Sequence, residues 1–467
     1  MQSLLERVSI IIKPVVFIVI LVLLLDAAGF ATSRPNVYTR IMMHEMYAEE
    51  QIDVVFIGGS RVFRGLDPEV FDSTLNINSF NMGSSGQGAE DVYYLLKEVF
   101  KYHSPQIVII DVPQNRLAYH KNTQPSEILF DYFKLSINKI QYMANAFEAT
   151  DFSKAIFPAM RSRNIKVLFS PKTAFGYIKT KVSPEYRMYS YSLVSYDDEK
   201  YEGKGFVYNE NPISGNHRGR IAEPRVWREE RVGENEIAFL EKSIRLCKEY
   251  GAIPILIETP PTLSRMAQYE THIRYCEYLY EFSKRNEVDF FSFALVKNNK
   301  FMRYNKYYTD SVHLTGEGAE LFSNMLSSFL QKYLNGTLDV SEYLYDSSDC
   351  LLEDCDFVFD TWFSAEEGVL KAYALSGSNV KPEFEFLCKT EEDAEFAVVR
   401  EYSDDPCVPD IDTGGIDYTL RVNARARGSK SYFEEYEELE IKLGNAIDEG
   451  IGEEDVSQDT GLSSLSE

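Results

Sequence analysis

Ile52-Asp-Val-Val-Phe-Ile57-Gly58-Gly59-Ser60-Arg61 is a short β-branched run that stops at two glycines. A run without polar alternation suits a strand buried on both faces, and the glycines suit a tight turn at its end. Ser60 is therefore expected at the carboxyl end of a strand. Similar runs recur outward from it, as Ile107-Val-Ile-Ile-Asp111, Pro254-Ile-Leu-Ile-Glu258 and Val288-Asp-Phe-Phe-Ser-Phe293, each preceded by a helix-like stretch such as residues 236–250. That alternation predicts parallel strands joined by crossover helices. Sites in such sheets form outside the carboxyl ends of the strands, where Ser60, the loop around Gly83 and the Pro113-Gln114-Asn115 segment converge.

The clearest helix carries Leu321, Phe322, Met325, Leu326, Phe329, Leu330 and Tyr333 at three-to-four spacing, with Thr315 as N-cap and Asn335-Gly336 beyond its end. Its apolar stripe is core. The loop that feeds it, Tyr308-Thr-Asp310-Ser-Val-His313-Leu-Thr315, puts a carboxylate and an imidazole three residues apart. A serine hydroxyl needs a base within hydrogen-bond reach and a carboxylate that fixes the imidazole tautomer, and Ser60, His313 and Asp310 fill those roles. Each has a plainer reading alone: a turn serine, a structural histidine, a cap. Their joint occurrence in this order favours the catalytic one. Gly58-Gly59-Ser60-Arg61-Val62 lacks the second glycine of a G-x-S-x-G elbow, so the α/β-hydrolase architecture is not the best match.

A strand followed by Gly58-Gly59-Ser60-Arg61, then Asn81-Met-Gly83-Ser-Ser-Gly86, then Asp310-Ser-Val-His313 resembles the SGNH (GDSL) hydrolases. Over roughly residues 53–334 the resemblance implies an α/β fold, a flavodoxin-like three-layer α/β/α sandwich. It also implies that Ser60 attacks an ester while its own N–H and that of Gly83 bind the oxyanion. The family's oxyanion asparagine block is replaced by Asp111-Val-Pro-Gln114-Asn115, which leaves Gln114 or Asn115 as the third donor. The leading apolar segment, Pro113-Gln114 and a long insertion resemble a membrane-anchored branch with the D-alanyl-transfer protein DltD and the alginate O-acetylation proteins. That branch implies a serine esterase or O-acyltransferase acting on O-acyl, most simply acetyl, esters of a cell-surface polysaccharide or wall polymer, with a membrane-bound O-acyltransferase as donor partner. The competing reading is a non-enzymatic membrane-anchored scaffold, or a carrier- or glycan-binding protein of an acylation system. Serine acyl transfer needs no cofactor, and Gly83-Ser-Ser-Gly86-Gln-Gly88 fits neither a Walker nor a dinucleotide pattern; no metal is expected. Arg61 either binds an acidic substrate or caps the sheet.

The chain divides into residues 1–34 as a signal anchor, 35–336 as the catalytic domain with an insertion at about 116–231, 337–444 as a small β domain, and 445–467 as a disordered acidic tail. Residues 15–25 are uninterrupted apolar sequence and residues 8–31 approach bilayer length, which favours a retained anchor over a cleaved signal peptide ending at Gly29-Phe30-Ala31. The remainder is expected outside the cytoplasm. A formal net charge of −25 argues against nucleic acid, whose phosphates require a basic face. The six cysteines show no metal spacing; Cys350 and Cys355 are compatible with a disulfide. Within this acidic chain, Arg161, Arg163, Lys166, Lys172, Lys179, Lys181 and Arg187 interleave with Phe169, Phe175, Tyr177 and Tyr186. This is either a lid that docks anionic headgroups or an acidic polymer, or a solvated surface over a small aromatic core. Alternating runs at Phe357-Val-Phe359, Phe384-Glu-Phe386, Phe396-Ala-Val-Val399 and residues 418–422 predict a small β-sandwich, with Trp362 and Tyr373 as buried core aromatics or, less favoured, stacking residues for carbohydrate.

Overall fold

The computed structural model describes residues 4–117, 123–195, 198–213, 226–301, 304–366 and 368–442. The expected acidic tail lies outside the described residues. Helices α1 (Leu4–Thr32) and α2 (Tyr38–Ala48) lead into β1 (Val54–Ile57), followed by α3 (Ser60–Gly65), α4 (Pro68–Leu75), β2 (Ser79–Asn81), α5 (Ala89–Tyr102) and β3 (Ile107–Asp111). The insertion then contributes α6 (Gln114–Leu117), α7 (Thr123–Tyr132), α8 (Ile137–Ala146), α9 (Phe152–Ile156), α10 (Ser162–Leu168), α11 (Pro171–Val182), α12 (Pro184–Arg187) and the hairpin β4 (Glu199–Gly203)–β5 (Phe206–Asn209). The core resumes with α13 (Glu234–Glu249), β6 (Ile253–Glu258), α14 (Leu263–Ala267), α15 (His272–Asn286), β7 (Asp289–Ser292) and α16 (Gly316–Leu334).

The five core strands pair in parallel in the order β2-β1-β3-β6-β7, the doubly-wound order of flavodoxin-like sheets. Side-chain alternation divides the interior into two layers. Val54 and Phe56, Ile107 and Ile109, and Ile255 and Ile257 point into one apolar cluster with α3, α4 and α16; Val55 and Ile57, Val108 and Ile110, and Leu256 point into the other with α2, α5, α13 and α15. Helices thus cover both faces, and the expected strand β1 ends one turn short of Ser60. β2, which places the Gly83 loop beside β1, was not expected, because Ser-Phe-Asn carries no apolar run.

A third unit follows α17 (Ser348–Glu353). The hairpin β8 (Val358–Glu366)–β9 (Val369–Ser376) packs on a four-stranded antiparallel sheet of β10 (Pro382–Thr390), β11 (Ala397–Ser403), β12 (Tyr418–Ala426) and β13 (Glu435–Ile441), in the order β11-β10-β12-β13. Phe363 and Ala372 of the hairpin share one core with Phe384, Phe386, Leu420 and Val422 of the sheet. Trp362 and Tyr373 correct the preferred reading of them as core aromatics. They are cross-strand partners stacked with ring centroids 5.6 Å apart, on the face of the hairpin opposite Phe363 and Ala372, and both are half-buried. All six cysteines are free thiols, with Cys350 exposed and Cys355 buried.

At the other end, α1 contains one stretch, Ile12–Thr32, long and apolar enough to cross a membrane. Its side chains from Ile12 to Leu24 are exposed, whereas Gly29 and Thr32 are buried where the helix meets the insertion.

Candidate active site

Two glycines shape the turn after β1. A Cβ on Gly58 would lie 2.8 Å from Val62 Cγ2 and 3.0 Å from Asp111 Cβ, and one on Gly59 would lie 2.8 Å from an Arg116 guanidinium nitrogen. The strand can therefore pass directly into α3, with Gly59 as N-cap and Ser60 as the first helical residue. A first-turn N–H has no partner in its own helix, and Ser60 occupies that first turn.

His313 lies 253 residues further along the chain. Its loop folds back on itself through a bridge between Tyr308 and Leu314 and a bond from the Thr309 N–H to the His313 carbonyl (2.9 Å), and Thr315 caps α16 as expected by accepting from the Gly318 N–H (3.2 Å). The imidazole Nε2 lies 2.6 Å from Ser60 Oγ, and its Nδ1 lies 2.6 Å from Asp310 Oδ2. Asp310 Oδ1 accepts from the backbone N–H groups of Val312 (2.8 Å) and His313 (2.9 Å), which fixes the carboxylate plane. Burial alone would raise the Asp310 pKa. The His313 charge and hydrogen bonds, with the two backbone donors, outweigh it and hold the carboxyl well below its usual range. The side chain of His313 is 12% exposed and that of Asp310 49%, so the relay is sheltered on the imidazole side and open on the carboxylate side. The three residues expected from sequence to act together are thus in contact, in the order serine, imidazole, carboxylate.

The other expected residues divide. Gln114 is buried at the start of α6, and because Ile57 pairs with Ile110, the ends of β1 and β3 lie side by side and bring Gln114 and Ser60 to the same rim. Its Nε2 has no hydrogen-bond partner among the described residues. The side chain of Asn115 lies outside what is described. Gly83 departs from its expected role: its N–H donates to Asn81 Oδ1 (2.9 Å), while Asn81 Nδ2 donates to the carbonyls of Val62 and Leu66 (both 2.8 Å). Asn81 thereby ties the Gly83 loop to α3. Arg61 is buried and faces the carboxylates of Asp111 and Glu258 at the ends of β3 and β6, an inward placement that suits the sheet-capping alternative. Burial pushes Asp111 up to about 6 against the opposing pull of Arg61.

Two supports escaped the sequence. Arg265, 2% exposed, donates from Nε to the Tyr269 hydroxyl (2.6 Å) and from Nη1 to Ser311 Oγ (2.7 Å), and the Thr262 N–H bonds the Ser311 carbonyl (3.1 Å). The turn after β6 thus clamps the residue between Asp310 and Val312. Arg265→Met is expected to lower kcat about tenfold with KM within about twofold, since a misplaced base costs turnover rather than binding; steady-state kinetics checks it. Arg116 donates to the Gly86 carbonyl (3.0 Å) while lying over Gly59, bridging the turn before Ser60 and the glycine-rich loop. An arginine five residues past a strand end carries no sequence signal for this contact.

No protein-family model matches the chain, and no curated protein matches it. Among solved structures it is similar to a candidate acylhydrolase of Bacteroides fragilis NCTC 9343 (15% identity, 62% of this chain and 89% of that one, TM-score 0.27). It is also similar to a lipolytic protein of the G-D-S-L family from Desulfitobacterium hafniense DCB-2 (13% identity, 60% and 99%, TM-score 0.26). A third is a GDSL-like lipase from Bacteroides thetaiotaomicron VPI-5482 (14% identity, 67% and 96%, TM-score 0.26). All three likenesses are of low sequence identity and low TM-score.

Proposed function

We propose that this protein is a membrane-anchored serine acyl-ester enzyme whose Ser60 forms an acyl-enzyme, and that it transfers or removes acyl groups, most simply acetyl, on a cell-surface polysaccharide or wall polymer. The observation that carries the reading is the continuous Ser60–His313–Asp310 relay, 2.6 Å at each step. In the forward step His313 Nε2 takes the Ser60 proton as Oγ bonds to the ester carbonyl; collapse expels the alcohol, which receives that proton. A second alcohol, or water, then attacks the acyl-enzyme and releases Ser60. The Ser60 N–H and the Gln114 Nε2 supply oxyanion donors, each worth about 3 to 4 kcal/mol.

Transfer is favoured by the apolar helix α1, the Pro113-Gln114 pair and the insertion, the features shared with the DltD and alginate O-acetylation branch. Packing of the last turn of α1 onto the insertion supports a retained anchor, because cleavage after Ala31 would strip Phe30, whose carbonyl accepts from Lys181 Nζ (2.6 Å). A membrane-bound O-acyltransferase is the proposed donor and an extracytoplasmic polymer the acceptor. The test is labelling of the full chain by a fluorophosphonate, followed by acetyl-ester turnover with and without a polysaccharide acceptor. Acceptor-dependent product identifies a transferase and free acetate an esterase; a folded protein that is never labelled leaves the scaffold reading.

A further inference from the structure

Between residues 152 and 187 the chain carries eight basic residues and one acidic residue, Glu185, within a protein of net charge −25. The structure sorts these cations. Arg161 is buried and forms two 2.6 Å bonds with the Asp131 carboxylate, and Lys181 is buried against the carbonyl of Phe30. Both hold the insertion together. Lys166, Lys172 and Lys179 remain exposed on α10 and α11. Beside them stand large apolar side chains with no covering: Phe169 is 84% exposed and Phe175 69%, with Ile165, Leu168 and Val182 exposed as well.

This surface adjoins α1. The carboxyl end of α1 packs against α10, α11 and the turn Pro158–Met160, and Asn164 Nδ2 reaches Ser33 Oγ (3.4 Å). At 1.5 Å per residue, the 21 residues of Ile12–Thr32 span about 30 Å, the thickness of a bilayer's hydrocarbon core. If that stretch crosses the membrane, Gly29 and Thr32 lie at the far interface, and the helices packed on them lie at headgroup depth. Exposed phenylalanines among lysines match that layer, which accepts apolar rings below and cations beside lipid phosphates.

We propose that α10 and α11 form an interfacial platform lying in the membrane leaflet from which α1 emerges, with Phe169 and Phe175 inserted and Lys166, Lys172 and Lys179 on anionic headgroups. The inference rests on the membrane reading of α1. It fixes where the chemistry occurs. Tyr38 follows Thr32 by six positions, a chain length of at most about 21 Å, and the Tyr38 hydroxyl accepts from the Ser85 N–H (3.2 Å) while its ring packs on Phe63 of the helix that carries Ser60. The nucleophile is therefore held close above the leaflet, where an acyl donor presented by a membrane lipid or membrane enzyme can reach it.

The test uses the full chain with Cys350, Cys388 and Cys407 changed to serine and one nitroxide at a time on a cysteine placed at Leu23, Phe169, Phe175 or Val398. The protein is placed in phosphatidylcholine vesicles with and without phosphatidylglycerol, and label depth is read from collision with oxygen against a water-soluble nickel chelate. Labels at 169 and 175 are expected in the apolar layer, that at 23 deeper, and that at 398 in water. K166E/K172E/K179E should move labels 169 and 175 toward water in phosphatidylglycerol vesicles. Labels at 169 and 175 matching the one at 398, with 23 still deep, would overturn the platform and leave the anchor standing. A label at 23 in water overturns both, and depth unaffected by phosphatidylglycerol and by the triple substitution overturns the headgroup contact.

Discussion

Ser60→Ala is expected to abolish fluorophosphonate labelling and to lower ester turnover by about 10⁴ to 10⁶, and His313→Ala to do nearly the same, because the hydroxyl and its base act as one unit. The 2.6 Å contact between Ser60 Oγ and His313 Nε2 makes the imidazole the group placed to take the serine proton. Combining the two substitutions should cost little beyond either alone. Asp310→Asn should be about 10⁴-fold slower, since an amide in its place stabilises the wrong imidazole tautomer. The pH profile adds a second check. Because Asp310 is held below its usual range, it stays ionised throughout the ordinary working range, and its contribution to stability is lost only as pH falls through that depressed value. Asp310→Asn should therefore lower kcat/KM across that range without creating a new limb.

The second large effect lies behind the site. Glu258, at the end of β6, and His272, at the start of α15, are each 1% exposed and bonded at 2.9 Å; Ser292 Oγ donates to the same Glu258 oxygen at 2.6 Å. Cys276 brings a third ligand-type atom, all within 4.8 Å of one another, but the direct carboxylate–imidazole bond accounts for the pair as a buried ion pair. Removing one partner strands the other charge, so His272→Leu is expected to destabilise by about 3 to 5 kcal/mol in urea unfolding. Joining Glu258→Leu to it should restore much of that loss. The sign of the pH dependence follows from the two shifts. Burial opposes the charge on His272, but Glu258 prevails and raises its pKa to about 10 from 6.5; this contribution is complete below 6.5 and is lost as pH rises through about 10. Burial likewise works against ionised Glu258, and His272 turns the balance downward, so that part is present above the ordinary value of 4.5 and lost as pH falls. The contribution of the pair should be greatest between those two unfolded values and erode on either side.

The three residues of the proposed relay were legible because each sits in a pattern that is local in sequence. A β-branched run ending in Gly58-Gly59 marks Ser60, and a three-residue spacing before a strongly periodic helix marks Asp310 and His313. What escaped depends on contacts between distant segments. Asn81 reaches back to the carbonyls of Val62 and Leu66, Arg265 reaches Ser311 across 46 residues, and Glu258 meets His272 between a strand end and a helix start. In the C-terminal unit, β13 was missed because Glu-Tyr-Glu-Glu-Leu-Glu-Ile reads as a solvated acidic stretch. It pairs along β12, where Glu438 lies 3.5 Å from Arg421 and the Arg421 guanidinium stands 4.1 Å from the Tyr436 ring centre. Cross-strand neighbours of this kind supply the stability that the strand's own composition does not advertise.

The two ends of the insertion meet. The Gly233 N–H bonds the Leu117 carbonyl at 2.8 Å, so the chain leaves the sheet and returns to it through one backbone clasp. A segment whose entry and exit coincide is a module in the topological sense: it can be lengthened, shortened or exchanged without rethreading the strands that hold the relay. Two parts of it are exceptions: the Ser126 and Tyr142 hydroxyls of α7 and α8 donate to Asp91 of α5 and share its core, and in the hairpin Gly205 abuts the Asn81 carbonyl while Tyr208 lies over Gly316 at the start of α16. Evolution, or an engineer grafting a different surface onto this scaffold, is therefore constrained at α7, α8 and the hairpin and freer with the helices between them.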